Sequence, residues 1–269
     1  MKFGLKGLLA IAAVASALVL SGCGEKQADT SKIKVGVMAG AEAQVAEVAA
    51  KVAKEKYGLD VELVTFTDYV TPNAALDDGS IDINAFQHKP YLDQQVTDRG
   101  YKLTIAGNTF VYPIAGYSKQ VKSVDGIQDG ARIAVPNDPT NLGRSLLLLE
   151  QQGLLKLRDG VGLLATVRDI AENPKNITIV ELDAAQLPRS LDDVALSIIN
   201  TTYASSIDLT PQKDGVFVED KESPYVNLIV AREDNVKAEN VQNFVKSYQT
   251  EEVYTAASDI FKGGVVKGW

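Results

Sequence analysis

Short apolar runs alternate along the chain with longer segments in which apolar residues recur every three or four positions, the periods of strand and helix. Ile33-Lys34-Val35-Gly36-Val37-Met38 reads as a strand. From Glu42 to Lys56, Val45, Val48, Val52 and neighbouring alanines share one side, and Gly58 lies just beyond, which predicts a helix with a glycine stop. Val61 to Phe66 is a second strand, Asn73 to Asp77 a short helix ended by Asp78-Gly79, and Ile81 to Phe86 a third strand. Pro90 opens another helix that runs to about Arg99. Strands separated by helices imply βαβ units and a mainly parallel sheet.

The pattern then changes. Thr109 to Tyr117 is extended and apolar, and Pro113 is out of place in a central strand, so this stretch reads as a crossing into a second lobe. There, Ala131 to Val135 reads as a buried strand, broken by Pro136-Asn137-Asp138. Pro139 suits the first turn of a helix, with Asp138 as its N-cap and Gly153 as its stop. Leu146 to Leu149 cover most of that helix's circumference, which predicts packing on more than one side. A helical stretch near Val167 to Ile170, a strand from Ile177 to Leu182, a helix from Pro188 to Asp193 and a buried strand from Ala195 to Ile199 follow. Ser223 to Val230 fits a return crossing, after which helices from about Glu239 to Phe261 pack on the first lobe. The division expected is residues 32–112 with 230–269 for one lobe and 113–229 for the other. Two α/β lobes with two crossings place a ligand in the cleft between them. Some enzymes share this layout, so the layout alone does not assign a function.

The amino terminus belongs to neither lobe. Lys2 and Lys6 precede an apolar run from Gly7 to Leu20, too short for a comfortable membrane span and suited to a secretory signal. Leu20-Ser21-Gly22-Cys23 matches the bacterial lipobox, which predicts a signal peptide over 1–22, a lipid-modified Cys23 and a tether over 23–31. The alternative is a plain signal peptide followed by a stray cysteine. Cys23 is the only cysteine among 269 residues, so no internal disulfide or cysteine-based metal site is available. A formal charge of -8, without a basic stripe, argues against nucleic acid as a partner.

Chemistry is concentrated in a few places. Asn141 and Arg144 share a helix face near the helix start, where free N–H groups favour an anion and a guanidinium can pair bidentately with a carboxylate. An ordinary surface arginine fits the spacing equally well. Catalysis is poorly provided for. His88 is the only histidine, so a metal site built on it is implausible. The acidic pairs Asp77-Asp78 and Asp192-Asp193 do not share a helix face and read as solvated caps. No GxGxxG or Walker sequence calls for a nucleotide cofactor.

Long stretches resemble the methionine-binding lipoproteins of bacterial ABC importers, the NlpA lipoprotein family. They are YGLDVELVTFTDYV (57–70), NAFQHKPYLDQQ (84–95), GNTFVYPIAGYS (107–118), VPNDPTNLGRSLLLL (135–149), NTTYAS (200–205) and ESPYVNLIV (222–230). The resemblance implies a two-lobed, type II periplasmic-binding-protein-like α/β fold, L-methionine as ligand, and a membrane permease with a cytoplasmic ATPase as partner. The folded part would lie outside the cytoplasm on a lipid anchor, without cofactor or metal. By the same resemblance Arg144, helped by Asn141, takes the ligand carboxylate, and Asn200, at the end of a buried strand, meets the α-substituents. Tyr69, Phe86, His88 and Tyr112 would enclose the thioether, whose polarizable sulfur suits aromatic rings. Phe86 and His88, two apart on an extended chain, point the same way. Another amino acid, or a dipeptide containing methionine, is the nearest alternative ligand.

Overall fold

The computed structural model describes residues 30–220 and 223–269. The expected signal peptide, Cys23 and the tether as far as residue 29 lie outside the described residues.

The first lobe opens with β1 (Lys32–Met38), α1 (Ala41–Tyr57), β2 (Asp60–Phe66), α2 (Thr71–Asp77), β3 (Ile83–His88), α3 (Lys89–Arg99) and β4 (Leu103–Val111). The chain then passes to β5 (Ala115–Tyr117), β6 (Arg132–Pro136), α4 (Pro139–Gln151), β7 (Lys156–Leu157), β8 (Ile170–Glu172) and β9 (Thr178–Leu182). It continues through α5 (Leu187–Ser190), β10 (Leu196–Ile199), α6 (Thr201–Ser205), α7 (Pro211–Asp214) and β11 (Phe217–Val218). It returns as β12 (Val226–Arg232) and closes with α8 (Glu239–Tyr248), α9 (Glu251–Ile260) and β13 (Val266–Lys267).

Two sheets result, ordered β13-β4-β12-β3-β1-β2 and β11-β5-β10-β6-β9. Both are mixed, not mainly parallel as expected. β1 runs parallel to β2 and β3, but β12 inserts antiparallel between β3 and β4. In the second sheet β6 is parallel to β9 and β10, while β5 is antiparallel to β10 and β11.

That returning strand also moves a boundary. Residues 226–229, expected with the second lobe, lie in the first sheet, paired with β3 and β4 on either side. The stretch read as a return crossing is therefore largely sheet, and the passage back falls between Val218 and Val226. The outward passage is shorter than expected as well. β4 runs to Val111 and β5 starts at Ala115, leaving Tyr112-Pro113-Ile114 between them. Near 167–170 there is only a 3-10 turn, Val167–Asp169, closed by a capping box in which Thr166 and Asp169 satisfy each other's backbone N–H groups. The helix expected from Pro188 to Asp193 is a single turn, Leu187–Ser190.

Helix α4 follows its pattern closely. The Asp138 carboxylate accepts from the Asn141 N–H at 3.0 Å and Pro139 occupies the first turn. Leu142, Leu146, Leu148 and Leu149 are buried in the second-lobe core with Ile133, Val135 and Ile198. Burial of each such side chain contributes about 1.5–3 kcal/mol. Gly143 lets the helix seat closely, since a Cβ there would lie 2.1 Å from the Leu163 carbonyl oxygen. A separate apolar cluster joins the lobes, with Met38, Phe86 and Tyr91 packing alongside Ala134, Leu187, Ile199 and Tyr203.

Candidate ligand site in the cleft

All seven side chains proposed from sequence as ligand-binding line one cavity between the two sheets. The elements that carry them end there. β3 delivers Phe86 and His88, the passage out of β4 delivers Tyr112, the first turns of α4 deliver Asn141 and Arg144, and β10 hands over to Asn200.

One end of the cavity is a chain of polar groups with fixed directions. His88 is the N-cap of α3, and its Nδ1 accepts from the Tyr91 N–H at 3.2 Å. That nitrogen therefore carries no proton, and Nε2–H donates to Asn141 Oδ1 at 3.3 Å. Burial, reinforced by the Arg144 charge, pushes the imidazole down to about 3, so the ring is neutral at physiological pH. Asn141 Oδ1 also accepts from Asn200 Nδ2 at 3.0 Å, while its own Nδ2 donates to Asp138 at 2.9 Å. Asn200 Oδ1 is buried without a hydrogen-bond partner among the described residues. Such an orphan acceptor is costly unless a ligand or water satisfies it.

Arg144 differs from expectation in one respect. Its bidentate partner is a carboxylate of its own chain: Nε donates to Glu219 Oε1 at 2.7 Å and Nη2 to Glu219 Oε2. Nη2 also donates to the Tyr112 carbonyl at 3.1 Å, and the Tyr225 ring centroid lies 4.3 Å from Cζ. Glu219 is held in turn, its N–H donating to the Ile114 carbonyl at 2.9 Å. The guanidinium is thus strapped to both inter-lobe passages, and Nη1 has no partner among the described residues. The fork is already occupied, and only Nη1 is left open.

The other end is aromatic. Tyr69 lies 5.9 Å from Phe86 and 5.0 Å from Tyr203, and Phe86 lies 6.0 Å from Tyr91 in an edge-on arrangement. Tyr91 also donates its hydroxyl to the Tyr69 carbonyl at 2.7 Å. Tyr112 lines the cavity but packs its ring against Phe261 at 5.0 Å, and it supplies a carbonyl to Arg144. Near this end Thr202 donates to Glu42, a buried carboxyl that burial raises to about 8.

Sequence reasoning missed Glu219, Tyr225, Gln87, Tyr91, Asn227 and the Thr201-Thr202 pair. Gln87 and Thr201 adjoin residues already singled out, and Asn227 lies in a stretch that carries the family resemblance; Asn227 donates to the Phe86 carbonyl at 3.0 Å. Nothing local marks Glu219, which lies 75 residues from its partner. Among the described residues there is no cluster of side chains able to hold a metal ion, and no helix is long and apolar enough to cross a membrane.

Two mixed sheets joined by two short passages, with a cavity at the strand ends between them, define a two-lobed binding protein of the periplasmic type. The family model for NlpA lipoprotein matches residues 33–269. The chain belongs to the NlpA lipoprotein family. It is 82% identical over 269 residues, the full length of both chains, to the probable D-methionine-binding lipoprotein MetQ of Vibrio cholerae. Among solved structures, the methionine-binding protein MetQ is 73% identical with a TM-score of 0.89, covering 90% of this chain and 99% of that one. A nutrient-binding protein from Burkholderia cenocepacia, bound to methionine, is 52% identical with a TM-score of 0.86, covering 88% of this chain and 100% of that one.

Proposed function

We propose that this chain captures methionine in the inter-lobe cavity and delivers it to an ABC importer, a membrane permease driven by a cytoplasmic ATPase. The observation that carries the reading is the convergence of Arg144, Asn141 and Asn200 with Tyr69, Phe86 and His88 on one cavity. A free amino acid needs a cation for its carboxylate, acceptors for its ammonium group and an enclosure for its side chain. Nη1 of Arg144 supplies the first, the unpartnered Oδ1 of Asn200 the second, and the aromatic wall the third. Ring–sulfur contacts favour a thioether by about 0.3–1.5 kcal/mol each. The names of the relatives support methionine and leave both enantiomers to be tested.

The site is proposed as one for binding without bond rearrangement. His88, the sole histidine, has its Nδ1 occupied by the Tyr91 N–H and its Nε2–H directed at an amide oxygen, so its imidazole does not stand free as a base for a nucleophile. A lipid on Cys23 would hold the folded part at the membrane surface outside the cytoplasm. Family membership and the lipobox support that placement.

The test is mass spectrometry of small molecules released on denaturing freshly purified protein, followed by calorimetric titration of stripped protein with L- and D-methionine. Release of methionine and saturable binding of at least one enantiomer are expected. Release of a different amino acid, with no heat from either enantiomer, would replace the ligand while leaving the cleft as the site.

A further inference from the structure

Among the described residues lining the cavity, Arg144 is the only one with a full charge at neutral pH, His88 being neutral. It is not an unmatched cation. Side chains of Arg144 and Glu219 are 3% and 11% exposed, and the carboxylate takes Nε and one hydrogen of Nη2. Glu219 does not line the cavity itself; it meets a bound molecule through the guanidinium. With the second Nη2 hydrogen on the Tyr112 carbonyl and Tyr225 over one face, only Nη1 is left for a ligand.

The pairing has a consequence for charge. Arg144 and Glu219 together sum to zero, so a simple carboxylate anion entering the cavity meets attraction from one and repulsion from the other. At the reduced dielectric of a closed cleft, both act over several ångströms. An amino-acid zwitterion also sums to zero and brings an ammonium group that gains from the extra negative charge. The other carboxyls near the site do not line it either, and the two nearest its polar groups are already occupied. Asp138 is occupied by Asn141 and Thr140, and Glu42 accepts from Thr202 and is kept largely protonated by burial. Neither pairs with Arg144.

We propose that Glu219 is the specificity-determining residue that makes this cleft select a zwitterion over a carboxylate anion of the same shape. It also aims Nη1 by fixing the rest of the guanidinium, and so acts as a positioning residue for Arg144. This inference rests on the amino-acid-binding reading above. The experiment is calorimetric titration of ligand-stripped, detergent-solubilised protein with methionine and with 4-(methylthio)butanoate, which lacks only the amino group. Wild type, Glu219→Gln and Glu219→Asp are compared, with melting curves to establish folding. The wild-type ratio of affinities should favour methionine by about a hundredfold or more, near 2.7 kcal/mol. Glu219→Gln should cut that ratio by about tenfold, and Glu219→Asp, which keeps the charge, should leave it close to wild type.

An unchanged ratio in a folded Glu219→Gln protein, including equal weakening of both ligands, would overturn the proposal and leave a structural ion pair. A wild-type protein that bound the anion within about threefold of methionine would overturn it without recourse to any variant. Failure of the wild type to bind methionine would instead sink the underlying reading, and that result is obtained before any variant is titrated.

Discussion

The two ends of the cavity are built on different principles. At the polar end, hydrogen bonds run from Tyr91 through His88 to Asn141, and from Asn141 to both Asp138 and Asn200. Each link has a direction, so a ligand group must arrive with the right atom in the right place. Arg144 repeats the theme with three directed bonds and one open edge. At the aromatic end Tyr69, Phe86, Tyr91 and Tyr203 meet through ring contacts of 5.0–6.3 Å. Ring packing excludes water and favours polarizable atoms but tolerates small changes in shape. The polar end should therefore set what class of molecule binds, and the aromatic end should grade side chains within that class.

The largest effect that could break this division is at Arg144. Arg144→Ala should weaken methionine binding by about 2–5 kcal/mol, or roughly 30- to several-thousand-fold. Arg144→Lys should recover only part, because an ammonium lacks the planar fork that holds both Glu219 oxygens while reaching the Tyr112 carbonyl and a ligand. Calorimetric titration alongside melting curves separates loss of affinity from loss of folding. Tight binding by a well-folded Arg144→Ala protein would remove the polar end from the site.

Each end also has a buried titratable group, and pH distinguishes them. Glu42, near the aromatic end, is raised by burial from 4.5 to about 8. The folded chain then holds a proton that the unfolded chain has lost, so Glu42's contribution is fully present below about pH 4.5 and falls as pH rises to about 8. His88 acts in the opposite sense lower down. Its depressed value makes stability rise with pH from about 3 to 6.5 and level off above. Between pH 6.5 and 8 Glu42 is therefore the one of these two groups whose contribution still changes with pH, by up to a few kcal/mol. Thermal melts should fall across that interval in wild type and flatten in Glu42→Gln. An equal slope in both proteins would show that Glu42 is not buried neutral.

Asn200→Ala removes the unpartnered acceptor and a donor to Asn141, and should weaken methionine binding by about 1–3 kcal/mol. The loss should be much smaller for 4-(methylthio)butanoate, which has no ammonium group to be accepted. Equal losses for the two would move the ammonium contact elsewhere in the cavity.

The aromatic end should respond least. Phe86→Leu keeps an apolar wall and should cost about 0.5–1.5 kcal/mol for methionine, with a smaller cost for norleucine, which replaces the sulfur by a methylene. Parallel titrations of the two ligands measure this. A methionine preference that survived intact would assign the sulfur contact to Tyr69 or Tyr91 instead.

What the sequence determined by itself was local. Helix α4 is the clearest case: Asp138, Pro139 and the leucine run set its start, its first turn and its buried faces through rules that act within a few residues. The alternation of strands and helices led to the two-lobed class, and the resemblance drew seven residues together that one cavity then collects. Pairing partners between distant segments were decided only by the tertiary structure. That β12 would enter antiparallel between β3 and β4, taking residues 226–229 into the first sheet, depends on an edge made available by strands more than a hundred residues earlier. The fork of Arg144 went to Glu219 for the same kind of reason. The sequence near Arg144 specifies a guanidinium on a helix face, but which carboxylate reaches it is settled by where the second passage runs, held to the Ile114 carbonyl. Periodicity and capping are properties of neighbours along the chain; the choice of a buried charge's partner is a property of the closed fold, where desolvation makes an unpaired charge too costly to leave.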